Sequence, residues 1–211
     1  MVLCRAMKLY WHPFSIIPRR VRIAFREKGI PYDEVEVDLP GGAHRAPEFR
    51  RLNPFAQVPV LEDGDLIVSE SVAILEYLEE RFPTPALLPA AAASRALARQ
   101  FMLWSGDYIN PAWEAWMAPR FSTRVSPDDP SVARGREKIA AHMDVLDARL
   151  RDRDWLIDDY SLADICYAPV VTVLHLAGLA DLLETRPALR AWVDRLAARP
   201  AVRDTMPVVE R

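Results

Sequence analysis

Cysteine is scarce in this sequence: Cys4 and Cys166 are the two in 211 residues, far apart and without C-x-x-C spacing. That excludes a disulfide framework and a dithiol redox motif, and it fits a reducing cytosol, so a cytoplasmic location is expected. Histidine is equally sparse. His12, His44, His142 and His175 share no ligand spacing, so no metal site is expected. Charge of one sign is missing too: the formal net charge is −3, which gives no global field for nucleic acid or for a membrane surface. The arginines are interspersed with acids and read as a solvated surface. The longest apolar run, near residues 165–180, is broken by Pro169 and His175. It falls short of the roughly 20 residues that span a bilayer and reads as a buried core helix. The residues ahead of Met7 are too few for a secretory signal, and Met1 and Met7 are both open as the start.

What is present is enough apolar material, 51% of residues, to bury a sizeable core. The chain divides into a mixed part, 1–82, a proline-rich linker, 83–92, and a helical part, 93–211. Pro83, Pro85 and Pro89 preclude a regular helix at the seam. In the mixed part, 8–11 reads as a strand, 18–28 as a helix closed by Gly29, and 35–39 as an alternating strand. Segments 58–61 and 66–68 flank Asp63-Gly64 as a hairpin. A helix from Ser71 follows, with Val72, Leu75, Leu78 and Phe82 on its apolar face. The order is βαβ-ββα, an α/β thioredoxin-like domain, followed by an all-α domain.

In the helical part, helices are expected at 93–117, 131–150, 161–178 and 187–198, with a proline-rich loop at 118–130. Ser161-Leu-Ala-Asp164 has capping-box spacing, with Tyr160 and Ile165 at the positions of a hydrophobic staple; this reads as structural.

The chemistry concentrates in residues 52–72. A proline that begins a strand cannot donate to the ladder, so Val58-Pro59 leaves Val58 with backbone groups to offer a ligand. A helix that opens with Glu70 and Ser71 offers an acceptor for an ammonium group and N–H donors for a carboxylate. Both suit a small peptide that carries an α-amino acid at one end. Ser15 lies between the first strand and the following helix, where a hydroxyl and a helix N-terminus converge.

The strings Arg20-Val-Arg-Ile-Ala24, Asn53-Pro-Phe-Ala-Gln-Val-Pro59 and Ser69-Glu-Ser71, in this order, resemble the soluble glutathione transferases, with theta-, zeta- and related bacterial-type members in view. The resemblance spans essentially the whole chain. It implies glutathione as co-substrate, with Val58 and a cis Pro59 against its cysteinyl backbone and Glu70 and Ser71 on the γ-glutamyl end. His44 and Arg45 would meet the glycyl carboxylate, with Gln57 a further polar contact and Asn53 bracing the loop. Ser15 would donate a hydrogen bond to the thiolate, with no covalent role. Pro18 stands where a cysteine or serine is usual, which argues against the thiol-exchange branch. Tyr10, expected to pack inward, and His12 are reserve donors. Tyr108, Trp113, Trp116 and Arg120, with Trp104 and Met117 nearby, would line the site of a small hydrophobic electrophile. A homodimer is implied. Two rivals remain open on the same fold: a glutathione-dependent isomerase or dehalogenase, and a non-catalytic interaction protein.

Overall fold

The computed structural model describes residues 6–207; the expectations for Met1 and Cys4 fall outside them. The contacts divide the chain into two units. One runs to Leu87 and takes back the residues from Pro200 onward; the other is Leu88–Arg199.

In the first unit, alternation sets the sheet. Along β1 (Met7–Trp11), Met7 and Leu9 pack with Val21, Phe25, Leu61, Ile74 and Leu78. On the opposite face Tyr10 joins Val37, Phe49, Val58 and Val60. Helix α1 (Ile16–Lys28) begins two residues earlier than expected, because Ser15 adopts the extended N-cap conformation, and Pro18 falls within the first turn. It ends as expected at Gly29, whose φ of 63° suits a residue without Cβ. Strand β2 (Tyr32–Glu36) lies three residues before the expected span. Tyr32 stacks on Phe25 with centroids 4.0 Å apart, while Val37 and Leu39 leave the ladder for the second cluster. After helix α2 (Pro47–Leu52), β3 (Val60–Asp63) and β4 (Leu66–Ser69) pair Asp63 with Leu66. The hairpin loop is therefore Gly64-Asp65, one residue later than expected. Strand order is β2-β1-β3-β4, with β1 parallel to β2 and antiparallel to β3. Helix α3 (Ser71–Arg81) buries Ile74, Leu75 and Leu78, whereas Val72 is half-exposed.

Three arginines depart from the solvated surface expected of them. Arg19, Arg20 and Arg22 on α1 are all buried, and so is Lys28. Lys28 Nζ lies 2.6 Å from Glu79 and donates to the Phe82 and Pro85 carbonyls at 2.8 Å each, while Glu79 accepts the Leu87 N–H. The proline-rich segment is thus fastened to the first unit by one desolvated, fully bonded ion pair.

The second unit is helical, as expected, but its punctuation differs. Helix α4 (Ala92–Trp104) passes through one π turn, Ser105–Ile109, into α5 (Asn110–Phe121). Pro119 lies inside α5, so the expected loop at 118–130 begins only after Phe121. One turn from a helix end, a missing N–H and a displaced carbonyl cost little. Helix α6 (Pro130–Leu150) crosses α5 at Gly135, where a Cβ would meet the Ala112 carbonyl at 2.8 Å. Helix α7 (Leu162–Val171) is buried along its whole length, as its apolar run predicts, but gives way at Thr172 to turns that reach Gly178. The capping box is complete: Ser161 caps, and Asp164 bonds back to the Ser161 N–H. Asp164 also accepts from the Leu156 N–H and from Trp192 Nε1 of α8 (Pro187–Ala198). Burial pushes its carboxyl up to about 6 against these bonds. Tyr160 packs on Trp155 and beneath the Arg199 guanidinium.

The segment beyond α8, with α9 (Pro200–Arg203), packs with α1: Arg19 donates to the Val202 carbonyl at 3.1 Å. No helix among the described residues is long and apolar enough to cross a membrane. Among them, no group of three or more His, Cys, Asp and Glu could hold a metal ion.

Candidate functional site

Register brings the first-unit candidates to one end of the sheet. Tyr10 pairs with Val60 and Val60 with Ser69, so the chain leaving β1, the chain entering β3 and the chain leaving β4 emerge side by side. Trp11 pairs with Glu36, which adds the exit of β2. Ser15, Val58-Pro59, Glu70-Ser71 and, across the β2 exit, His44 and Arg45 therefore share that end. Strands sit about 4.8 Å apart, so β1 and β4 are separated by about 10 Å.

Each group there is held by local chemistry. Ser15 is half-buried at the N-cap of α1, and its side chain caps nothing. Of the two amides a capping hydroxyl ordinarily takes, the third helical one is missing because that residue is Pro18. His12 is buried and its Nδ1 accepts the Phe14 N–H at 3.2 Å. Tyr10 is half-buried, with its hydroxyl donated to Glu62 at 2.9 Å. Burial and that carboxylate raise the phenol above its ordinary value. Neither reserve donor is as unencumbered as Ser15.

The Val58-Pro59 peptide is cis, and Val58 is buried just outside the ladder that begins at Val60. Asn53 is buried and braces the loop from both sides: it donates to the Gln57 carbonyl at 2.9 Å and accepts the Phe55 N–H at 3.1 Å. The Gln57 side chain is exposed.

Glu70 is the strongest backbone signal. It has φ 70° and ψ 113° at the N-cap of α3, a region disfavoured for any residue with a Cβ, and its carboxylate caps nothing. Ser71 is 5% exposed, and its Oγ accepts from Arg20 Nη1 at 3.4 Å. Arg20 itself is 1% exposed. Sequence reasoning missed this arginine; the available signal was a cation flanked by the apolar Val21, Ile23 and Ala24. His44 is half-exposed, and its Nε2 accepts from the exposed Arg45 at 3.2 Å. Nδ1 therefore carries the proton, and it has no hydrogen-bond partner. Desolvation, then Arg45 and Arg50, hold His44 below its ordinary pKa.

In the helical unit the four electrophile candidates separate. Trp116 Nε1 and Arg120 Nη2 meet at the Ala177 carbonyl, at 2.9 and 3.2 Å, and Trp113 is 6% exposed within the core. Tyr108 is instead carried by the π turn to another place. It is 60% exposed and stacks on His142, with centroids 6.4 Å apart, in a groove of about 630 Å³ shared with Asp107, Arg134 and Lys138. Trp104 also touches His142. His142 bonds to Tyr167 at 2.9 Å, and desolvation lowers it to about 4.

Residues 5–80 match the model of the glutathione S-transferase N-terminal domain, and residues 129–195 that of the C-terminal domain. Glutathione S-transferase 3 of Zea mays is 33% identical, over 96% of this chain and 94% of its own. The crystal structure of glutathione transferase F7 from Populus trichocarpa superposes with a TM-score of 0.85 at 31% identity, over 94% of this chain and 97% of that one. The structure of glutathione S-transferase-I bound with lactoylglutathione gives a TM-score of 0.82 at 29% identity, over 95% and 98%. The F designation corrects the subgroup: the relatives are plant phi-class proteins, not theta or zeta. The three strings are features of the superfamily, and short motifs do not resolve its classes.

Proposed function

Since this chain belongs to the glutathione S-transferase family, we propose that it binds glutathione, holds the sulfur as a thiolate at Ser15 and conjugates it to a hydrophobic electrophile. The observation that carries this reading is the strained Glu70 at the head of α3. A positive φ at a residue with a Cβ costs about 1–3 kcal/mol and persists where it serves a ligand. An extended tripeptide is about 10 Å long, which matches the separation of the β1 and β4 exits.

Glu70 takes the γ-glutamyl ammonium; the Ser71 hydroxyl and N–H take the neighbouring carboxylate, aided by the α3 N-terminus. Val58 pairs with the cysteinyl backbone as a one-residue strand addition, with Gln57 beside it. His44 and Arg45 serve the glycyl carboxylate. The thiol, which has an ordinary pKa of about 8.5, sits at Ser15. Lowering it by about two units takes about 2.7 kcal/mol of preference for the thiolate. A hydroxyl donor to a charged acceptor plus the α1 N-terminus are of that size. The proton leaves to solvent, sulfur bonds to the electrophilic carbon, and the displaced anion departs. Serine supplies one hydrogen bond and no bonding electrons. Within the helical unit, Trp116 and Arg120 are the electrophile candidates that share one place, at the Ala177 carbonyl, whereas Trp113 is packed in the core and Tyr108 lies apart beside His142. On this reading the protein works in the cytosol as a homodimer.

Calorimetric titration of glutathione into the wild type and into Glu70→Ala/Ser71→Ala tests the site. Binding lost in the double variant is the expected result. A folded wild type that takes up no glutathione would sink the reading.

A further inference from the structure

The anionic end of the site has a component behind it that no motif announces. Arg20 is among the largest fully buried side chains of the chain, five residues beyond Ser15 on α1. Its Nη1 reaches across to Ser71 Oγ, the first residue of α3, at 3.4 Å. A serine hydroxyl has one proton and two lone pairs, whereas a guanidinium has donors and no acceptor. Arg20 therefore occupies a lone pair of Ser71 and cannot receive its proton. Among the described residues no other group accepts that proton, although Ser71 is 95% buried at 5% exposure. A buried hydroxyl whose oxygen is held by a cation, and whose O–H is undonated, is pre-set to donate outward.

We propose that Arg20 is a positioning residue for the anionic end of the ligand: it fixes the Ser71 hydroxyl as a donor and polarises it toward the γ-glutamyl carboxylate. This rests on the glutathione reading above. The cation lies on the protein side of Ser71, where low dielectric strengthens its pull on the hydroxyl and leaves it unscreened by salt. Arginine suits the task better than lysine, because its planar fork keeps one N–H on Oγ without rotating away. The same side chain ties the helix that carries Ser15 to the helix that carries Ser71, so one buried group holds both ends of the ligand in register.

A merely structural Arg20 would affect every thiol substrate alike. The discriminating probe is γ-aminobutyryl-cysteinylglycine, which keeps the ammonium, the thiol and the glycyl end of glutathione but lacks the γ-glutamyl carboxylate. With an activated aryl chloride as electrophile, kcat and KM are measured for both thiols in the full-length wild type, Arg20→Gln, Arg20→Lys, Ser71→Ala and the double variant Arg20→Gln/Ser71→Ala. The wild type is expected to prefer glutathione about 100-fold in kcat/KM, and Arg20→Gln about tenfold, the size of one charge-assisted hydrogen bond. That loss should appear as a raised KM for glutathione, with kcat and the pH profile of the thiolate unchanged and the analogue unaffected. Arg20→Lys should fall between them, and the double variant should lose no more than Ser71→Ala. Should Arg20→Gln not fold, Arg20→Lys and Ser71→Ala carry the same comparison. An equal loss on both thiols would overturn the role given to Arg20 while leaving the glutathione reading intact. A wild type active with neither thiol would overturn both.

Discussion

Ser15 and Ser161 hold the same position in their helices and lead different lives. Both are N-caps with extended backbone, at φ −91° and −148°. Ser161 is buried, and its hydroxyl is bonded to Asp164 and to the Ala163 N–H. Ser15 is half-buried and caps nothing. The difference lies three residues on. Asp164 reaches back and completes a reciprocal box, whereas Pro18 has neither a side-chain acceptor nor an amide to offer. One serine is consumed by the fold, and the other is left uncommitted. A polar residue at a helix start therefore becomes a site candidate when its partners are missing.

The comparison can be broken, and the largest effect expected is at Asp164. Asp164→Ala leaves the Leu156, Ser161 and Trp192 donors buried without an acceptor. It should cost about 3–5 kcal/mol in urea unfolding, since each abandoned donor keeps its desolvation penalty. An effect below about 1 kcal/mol would mean the box is ornamental.

Ser15→Ala should do the reverse. Stability should stay within about 0.5 kcal/mol of wild type, because no cap is lost. Conjugation should fall about 10²-fold in kcat/KM, the scale of a lost donor to a developing or resident anion. The pKa of bound glutathione, followed by thiolate absorbance, should rise by about one unit, short of the full two because the α1 N-terminus remains. Unchanged kinetics would transfer the catalytic role away from Ser15.

Ser161→Ala sharpens the contrast with a smaller change. A lost cap costs about 1–2 kcal/mol, and kcat/KM measured on folded protein should match wild type. If both serine variants lost activity and stability together, the division of labour between the two caps would be wrong.

The smallest effect concerns acid. His142 is lowered from 6.5 to about 4 by desolvation. The unfolded chain therefore binds more protons than the folded one between those values. The stabilisation is complete above about 6.5 and is lost as pH falls toward about 4. Partial exposure reduces its size to about 1 kcal/mol. His142→Gln should flatten the difference between thermal unfolding at pH 7 and at pH 4.5 by that amount, while Ser15→Ala leaves it untouched. A variant as acid-sensitive as wild type would show that other groups set the slope.

Much of this molecule was legible from local patterns. The α7 box, the Gly29 C-cap and the buried α7 run were read correctly because each depends on a few consecutive residues and one backbone conformation. The candidate glutathione contacts, Val58-Pro59 and Glu70-Ser71, were named by the same kind of local reading. Other features escaped the same reasoning. The β2 strand was misplaced because Tyr32 is recruited by Phe25, and the α5 end was misplaced because Pro119 is tolerated in a last turn.

Sequence by itself determined which groups exist and how each short segment bends: capping spacing, proline's missing amide and glycine's positive φ are properties of neighbours along the chain. Tertiary structure alone decided which side chains lose water and which hydroxyls are already taken. Arg19, Arg20 and Arg22 carry the composition of a solvated face, yet packing buries all three. Tyr108 and Trp116 are eight residues apart on continuous helical structure, yet one π turn and the approach of α6 give them different surroundings. Burial and pairing depend on what arrives from elsewhere in the chain, and no local pattern carries that information.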